Sequence, residues 1–245
     1  MGSLHRHGFS TRRTFIMAHA TEPYLDGWTA ADLVERFGAV PLNRVRHDPA
    51  PGKATEEDVI EIHDREDRLY ELVDGVLLEK TVGTYESYLA LLIGRALGNF
   101  VEDANLGIVL GADGMTRLAP GLIRIPDVSF VSWAQLPGRK VPRDPVADLA
   151  PDLAVEVISK HNTPKEMERK LWDYFTSGVR LVWYVYHAPR REVHAFRSPE
   201  DCAVLGENDR LDGAEVLPGF SLEIGELFAE PGQGAAKPTP RDGEA

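Results

Sequence analysis

The 245-residue chain is short of cysteine, of long apolar runs and of positive charge. Its single cysteine, Cys202, excludes an internal disulfide and suits a reducing compartment. No run approaches the roughly 18 apolar residues that a membrane-spanning helix needs. The segment "STRRTFIMAHA" sets Arg12 and Arg13 ahead of only three apolar residues, Phe15 to Met17. An export signal needs about 7–15 such residues and a small-residue cleavage site. The chain therefore reads as cytoplasmic, with either Met1 or Met17 as its initiator. Lys and Arg total 27 against 39 Asp and Glu, a net charge of −12. That balance excludes a protein that holds nucleic acid by phosphate neutralisation over its whole surface. Any such contact must be local or assisted by a partner. The two compact basic clusters of the central region, "GRKVPR" at 138–143 and "PRR" at 189–191, read as solvated loops.

What is present suits a globular domain with appendages. Apolar residues make up 43% and charged residues 27% of the chain, which is enough to build a core. Residues 1–27 lack periodicity and read as a flexible leader. Residues 28–57 read as a short helix, with Thr29 as N-cap and Gly38 as stop, followed by a Pro/Gly linker running into an acidic segment. The main domain is expected over 58–228, and 229–245 has the composition of a disordered tail. Within the domain, Asp74-Gly75 between two apolar runs predicts a tight hairpin. Tyr88, Leu91, Leu92, Arg95, Ala96 and Phe100, at steps of three and four, predict a helix over 85–101. "LGIVLG" and "GLIRIPDVSFVSW" read as strands, with "ADGMTRLAP" between them as a turn-rich connection. Further on, an apolar strand, a helix and a second apolar strand, "VRLVWYVYH", predict a βαβ crossover with parallel pairing. The helix is opened by Thr163, Pro164 and Glu166 as a capping box and closed by Gly178. "REVHAFRSPEDCAVL" reads as an edge hairpin and "LPGFSLEIGELF" as a closing element. The fold class expected is α/β (α+β), a mixed central β-sheet flanked by helices, with an extra N-terminal hairpin and C-terminal strands.

One residue disturbs this pattern. In "APDLAVEVISKHNTPKEMERK", Glu156 interrupts an apolar strand, and burying a carboxylate costs several kcal/mol unless it is compensated. Strand alternation places Leu153, Val155 and Val157 on one face and Asp152, Ala154, Glu156 and Ile158 on the other. The preceding strand offers a second acid, Asp127 in "RIPDVSF", at a point where Pro126 removes a donor and interrupts pairing. On the helix, Lys170 flanks the inward stripe of Met167, Leu171, Tyr174 and Phe175. Two acids and a lysine at strand ends suit metal-assisted phosphodiester hydrolysis: hard oxygens hold Mg²⁺, and the metal acidifies a water. Plainer readings stand beside this one. Asp127 after proline is ordinarily a turn or cap residue, and Glu156 a structural ion pair. Lys170 is ordinarily a surface lysine, Glu86 a first-turn acid and Glu71 a surface charge on a hairpin. His161, His187 and His194 have no metal-ligand spacing.

"PD" in "RIPDVSF", "EVIS" 29 residues on (127 to 156), and a helical lysine ahead of "GVRLVW" resemble the PD-(D/E)XK nuclease superfamily. Together with "YELVDG", "PDLAVEVIS" and "LDGAEVLPGFSLEI", they resemble more closely the Uma-type restriction-endonuclease family, over roughly residues 58–228. The resemblance implies a restriction-endonuclease-like core and Mg²⁺- or Mn²⁺-dependent hydrolysis of DNA, with Asp127 and Glu156 as metal ligands. Ile158 stands where the superfamily lysine is expected, so the resemblance moves that role to Lys170. It also implies a further acid near the first core helix, with Glu86 as first candidate and Glu71 as second. Asp152 of "PDL" shares a strand with Glu156 and reads as a decoy. A nuclease that cuts both strands would pair two chains as a homodimer. The competing expectation is a non-catalytic nuclease-fold module that binds a protein partner or nucleic acid, which the acidic net charge favours.

Overall fold

The structure is a computed structural model, described here for residues 28–81 and 83–229. The leader expected over 1–27, and all but the first residue of the expected tail, lie outside the described residues.

Capping chemistry opens three of the helices. Helix α1 (Ala30–Phe37) begins at Thr29, whose hydroxyl accepts the Asp32 N–H while Asp32 caps back onto Thr29. The acidic end of the expected linker is itself a helix, α2 (Glu56–Glu66), built on the same reciprocal cap between Thr55 and Asp58. It was hidden because only Val59 and Ile62 are buried on it, too few to mark a period. The hairpin forms as expected, β1 (Tyr70–Val73) with β2 (Val76–Glu79). Asp74 at φ 51° and Gly75 at φ 71° supply the two positive φ angles that this turn requires.

Helix α3 (Thr84–Asp103) is present as expected, and the residues it buries are not the ones whose spacing marked it. Leu89, Ala90, Ile93, Leu97 and Val101 are buried, and Leu91 is 70% exposed. Apolar residues run almost all round this helix, so spacing alone admits more than one inward face. Next come β3 (Gly107–Leu110), β4 (Thr116–Ala119), β5 (Leu122–Arg124) and β6 (Val128–Ser132). Strand β4 corrects the reading of "ADGMTRLAP" as connection only, since Thr116, Arg117 and Ala119 pair with β5 and burial alternates along the strand. Then follow β7 (Leu153–Ile158), α4 (Pro164–Thr176) and β8 (Leu181–Tyr186), and the expected capping box of Thr163 and Glu166 opens α4. The chain closes with β9 (Glu192–Ser198), β10 (Asp201–Leu205), β11 (Arg210–Gly213), β12 (Leu217–Glu223) and the short α5 (Ile224–Leu227).

The strands form a six-stranded mixed sheet in the order β10-β9-β8-β7-β6-β3, a four-stranded sheet β2-β1-β5-β4, and the β11-β12 pair. Strands β7 and β8 are parallel across the α4 crossover, as the βαβ pattern requires. One face of the six-stranded sheet packs Val128, Phe130, Val155 and Trp183 against Leu89, Ile93 and Leu97 of α3, with Phe220 and Phe228 closing the cluster. The other face packs Ala154, Val182 and Tyr184 against Met167, Leu171 and Tyr174 of α4. Pro126 interrupts pairing as expected, but it also divides "GLIRIPDVSFVSW" into two strands: β5 and β6 belong to different sheets, and residues 125–127, Asp127 among them, cross from one to the other.

Candidate active site

Alternation along β7 sends Val155 toward α3 and Glu156 toward α4, where it is buried. On α4, Lys170 and Tyr174 are four residues apart and share a face. Both reach the same oxygen of that acid. Lys170 Nζ lies 2.8 Å from Glu156 Oε1, and the Tyr174 hydroxyl donates to it as well. The ammonium lies equally close, 2.8 Å, to Glu71 Oε1 from β1. Lys170 is thus buried between an acid of each sheet, not spread on the surface.

Asp127 stands beside this pair for a reason of register. Val128 pairs with Val155 and Ser129 with Ala154, so one further step would set Asp127 across from Glu156. Its N–H donates to the Val155 carbonyl at 2.9 Å, and its Oδ2 accepts the Val157 N–H at 2.7 Å. Its Oδ1 lies 2.9 Å from the ammonium of Lys80, just beyond the end of β2. The break between the sheets is used twice more. Ile125 lies outside both strands; its N–H donates to Glu71 Oε1 at 3.0 Å, and its carbonyl accepts from Lys80. Glu71 Oε2 accepts from Arg124 at 2.8 Å, and the other side of that guanidinium bonds Asp173 of α4.

The three acids share cations unequally. Burial pushes the Glu156 carboxyl up, Lys170 and Lys80 only partly oppose this, and the Asp127 and Glu71 charges add to it. Burial acts on Glu71 too, but Lys170, Arg124 and Lys80 outweigh it and hold that carboxyl well below the usual range. For Lys170, burial disfavours the charge, and Glu156 and Glu71 more than restore it. Burial, then the Glu156 charge, raises the Tyr174 hydroxyl, so it remains a neutral donor.

Of the sequence candidates, the structure brings Asp127, Glu156 and Lys170 together, with Glu71 as the third acid of the cluster. Glu86, in the first turn of α3, instead bonds His187 Nε2 at 3.2 Å, and no hydrogen bond or ion pair among the described residues links it to the cluster. Asp152 works at the opposite end of β7, where it accepts from the Ser132 N–H and from Arg180. Sequence reasoning missed Lys80, Arg124 and the polar role of Tyr174. Arg124 carried the same signal as Glu156, a charge between Ile123 and Ile125 in an apolar strand. Lys80 carried none beyond its place at the end of "VLLEK".

A family model described as "Uma2: Putative restriction endonuclease" matches residues 56–225. The chain belongs to this family. Among solved structures, it is similar to "a putative nuclease belonging to DUF820" from Anabaena variabilis, with a TM-score of 0.58 and 14% identity over 66% of this chain and 90% of that one. At that identity the likeness shows a shared fold, the restriction-endonuclease-like core. No curated protein matches the chain in sequence. Membership of the Uma2 family supports a nuclease function, and the divalent cation expected from the sequence motifs can be tested against the donors present. The donors fit such an ion in type. Asp127 and Glu156 offer hard oxygens from adjacent strands, and Glu156 Oε2 has no hydrogen bond among the described residues. Among those residues, no three His, Cys, Asp or Glu side chains are placed so that they could hold one ion together, Glu71 being turned to Lys170, Arg124 and Ile125. Mg²⁺ is commonly held by only one or two carboxylates, with waters and substrate phosphates filling its remaining positions.

Proposed function

We propose that this Uma2 protein is a Mg²⁺-dependent endonuclease that hydrolyses DNA phosphodiester bonds, with Mn²⁺ able to replace Mg²⁺. The observation that carries the reading is Lys170 Nζ, 2.8 Å from both Glu156 and Glu71, beside a second acid from the neighbouring strand. When bound, the cation supplies charge stabilisation and an acidified water. Asp127 and Glu156 are the residues that would hold it. The Val157 N–H orients the Asp127 carboxylate. Lys170 and Tyr174 fix Glu156 through Oε1, which leaves Oε2 for the ligand. Glu71 has both oxygens engaged and anchors Lys170 and Arg124. The ammonium of Lys170 also offsets negative charge as a phosphate approaches.

The test is plasmid cleavage with Mg²⁺ or Mn²⁺ by the wild type, Asp127→Ala and Glu156→Ala. The wild type is expected to nick or linearise the plasmid and both variants to leave it intact. A wild type that binds the metal yet cuts neither DNA nor RNA would overturn the reading. Cutting both strands calls on two copies of the chain, which sedimentation with and without DNA would show. The net charge of −12 favours a second reading, a nuclease-fold module that binds without cutting. Calorimetric titration of the wild type and Glu156→Ala with Mn²⁺ separates the two, since a binding module needs no metal at Glu156.

A further inference from the structure

We propose that Lys80 is a built-in counter-cation: its ammonium occupies the position at Asp127 that a divalent ion takes and must leave that carboxylate when the ion binds. The inference rests on the metal-dependent reading above and adds a residue to it that neither the sequence motifs nor the family match singles out.

Three observations carry it. Lys80 Nζ is held by oxygens of the kind a hard cation selects, Asp127 Oδ1 at 2.9 Å and the Ile125 carbonyl. The side chain is buried, with 7% exposure, so the contact is not a passing surface pair. The Ile125 carbonyl that holds Lys80 belongs to the residue whose N–H bonds Glu71, and the strand register sets Asp127 across from Glu156, so the ammonium stands among all three acids and not beside Asp127 alone. Without a cation there, Asp127 and Glu156 would repel across one strand spacing in a poorly solvated site. Lys170 cannot supply it, because it is already shared between Glu71 and Glu156. Lys80 offsets that repulsion in the metal-free protein. Asp127 Oδ2 is taken by the Val157 N–H, so an entering ion meets the ammonium at Oδ1. The lysine stem can turn aside without moving the backbone, because the Lys80 N–H is held by the Leu69 carbonyl at 2.9 Å while the ammonium is reached only through the flexible side chain.

The test is calorimetric titration of the full chain with Mn²⁺, using Lys80→Met, which keeps an apolar stem and removes the charge. Lys80→Gln serves if the methionine variant fails to fold. Lys80→Arg keeps the charge. Lys140→Met, at an exposed position on the loop before β7, sets the size of a purely long-range charge effect. The neutral Lys80 variants are expected to bind Mn²⁺ at least about tenfold more tightly than the wild type, well beyond Lys140→Met, while Lys80→Arg gains nothing. Without metal, the neutral variants should melt at a lower temperature, and Mn²⁺ should raise their Tm more than it raises that of the wild type. Unchanged or weaker binding in folded neutral variants, with binding abolished in Asp127→Asn, would overturn the role of Lys80 and leave the nuclease reading standing. No Mn²⁺ binding by the wild type or any variant would overturn both.

Discussion

The two sides of Lys170 are built differently. Toward β1, every oxygen of Glu71 is engaged: Ile125 and Lys170 on one, Arg124 on the other, with Arg124 continuing to Asp173. Toward β7, Glu156 takes two donors on a single oxygen, and its neighbour Asp127 is balanced by a lysine from the end of a strand. One carboxyl is held well below its usual range and the other is pushed up. A saturated ion cluster is a support, and an under-satisfied one is a place for something to bind. The same ammonium serves both.

That contrast can be broken experimentally. The largest effect on stability is expected from Glu71→Ala, which removes one of two carboxylates from buried Arg124 and from buried Lys170, leaves the Ile125 N–H without its acceptor, and should cost about 3–5 kcal/mol by urea unfolding. Should Glu71→Ala unfold at the wild-type urea midpoint, the β1 side is not the support. Next comes chemistry: Glu156→Ala should lower the cleavage rate by about a hundredfold or more, with the far-ultraviolet spectrum of the wild type. The pH dependence should then separate the two acids in metal-free protein. Because its folded pKa is depressed, the stabilisation from Glu71 is complete above its ordinary 4.5 and is lost as the solution is acidified through the folded value. Glu156 has the opposite sign. Its raised folded pKa means that it binds a proton on folding, so its contribution grows as pH falls toward 4.5. Melting curves across acid pH should therefore show Glu71→Gln flattening the steep acid limb and Glu156→Gln removing the opposing slope. The smallest effect sharpens the comparison. Glu156→Gln keeps the shape, removes a burdened charge and should move neutral-pH stability by no more than about 1 kcal/mol.

Much of the scaffold around this cluster was legible in the sequence because its signals are local. The β7–α4–β8 unit announces itself through the Thr163–Glu166 cap and two apolar strands, and the hairpin through Asp74-Gly75. Helix α2 and strand β4 were not legible. The first buries only two apolar residues, and the second is a four-residue strand flanked by turn residues. In the site, Glu156 stood out because an acid in an apolar strand needs a partner, and Lys170 because it flanked an inward stripe. Glu71 and Lys80 join through pairings between distant parts of the chain. Their neighbours across the sheet gap are set by the break that Pro126 announces and by β1 meeting β5, and no spacing in the sequence encodes that meeting. Glu86, first choice by its place on α3, takes His187 as its partner instead.

The N-terminal arm gives the molecule a boundary that family matching does not draw. The matched stretch starts at residue 56, yet Arg44 grips Glu166 with two hydrogen bonds, of 3.1 and 2.8 Å, inside the protein, and Thr163 ties to the Phe37 carbonyl. A version trimmed to the matched stretch would leave Glu166, 2% exposed, without its guanidinium at the mouth of the very helix that carries Lys170. The arm is a keystone laid before the arch: synthesised first, and locked only when the helix emerges more than a hundred residues later.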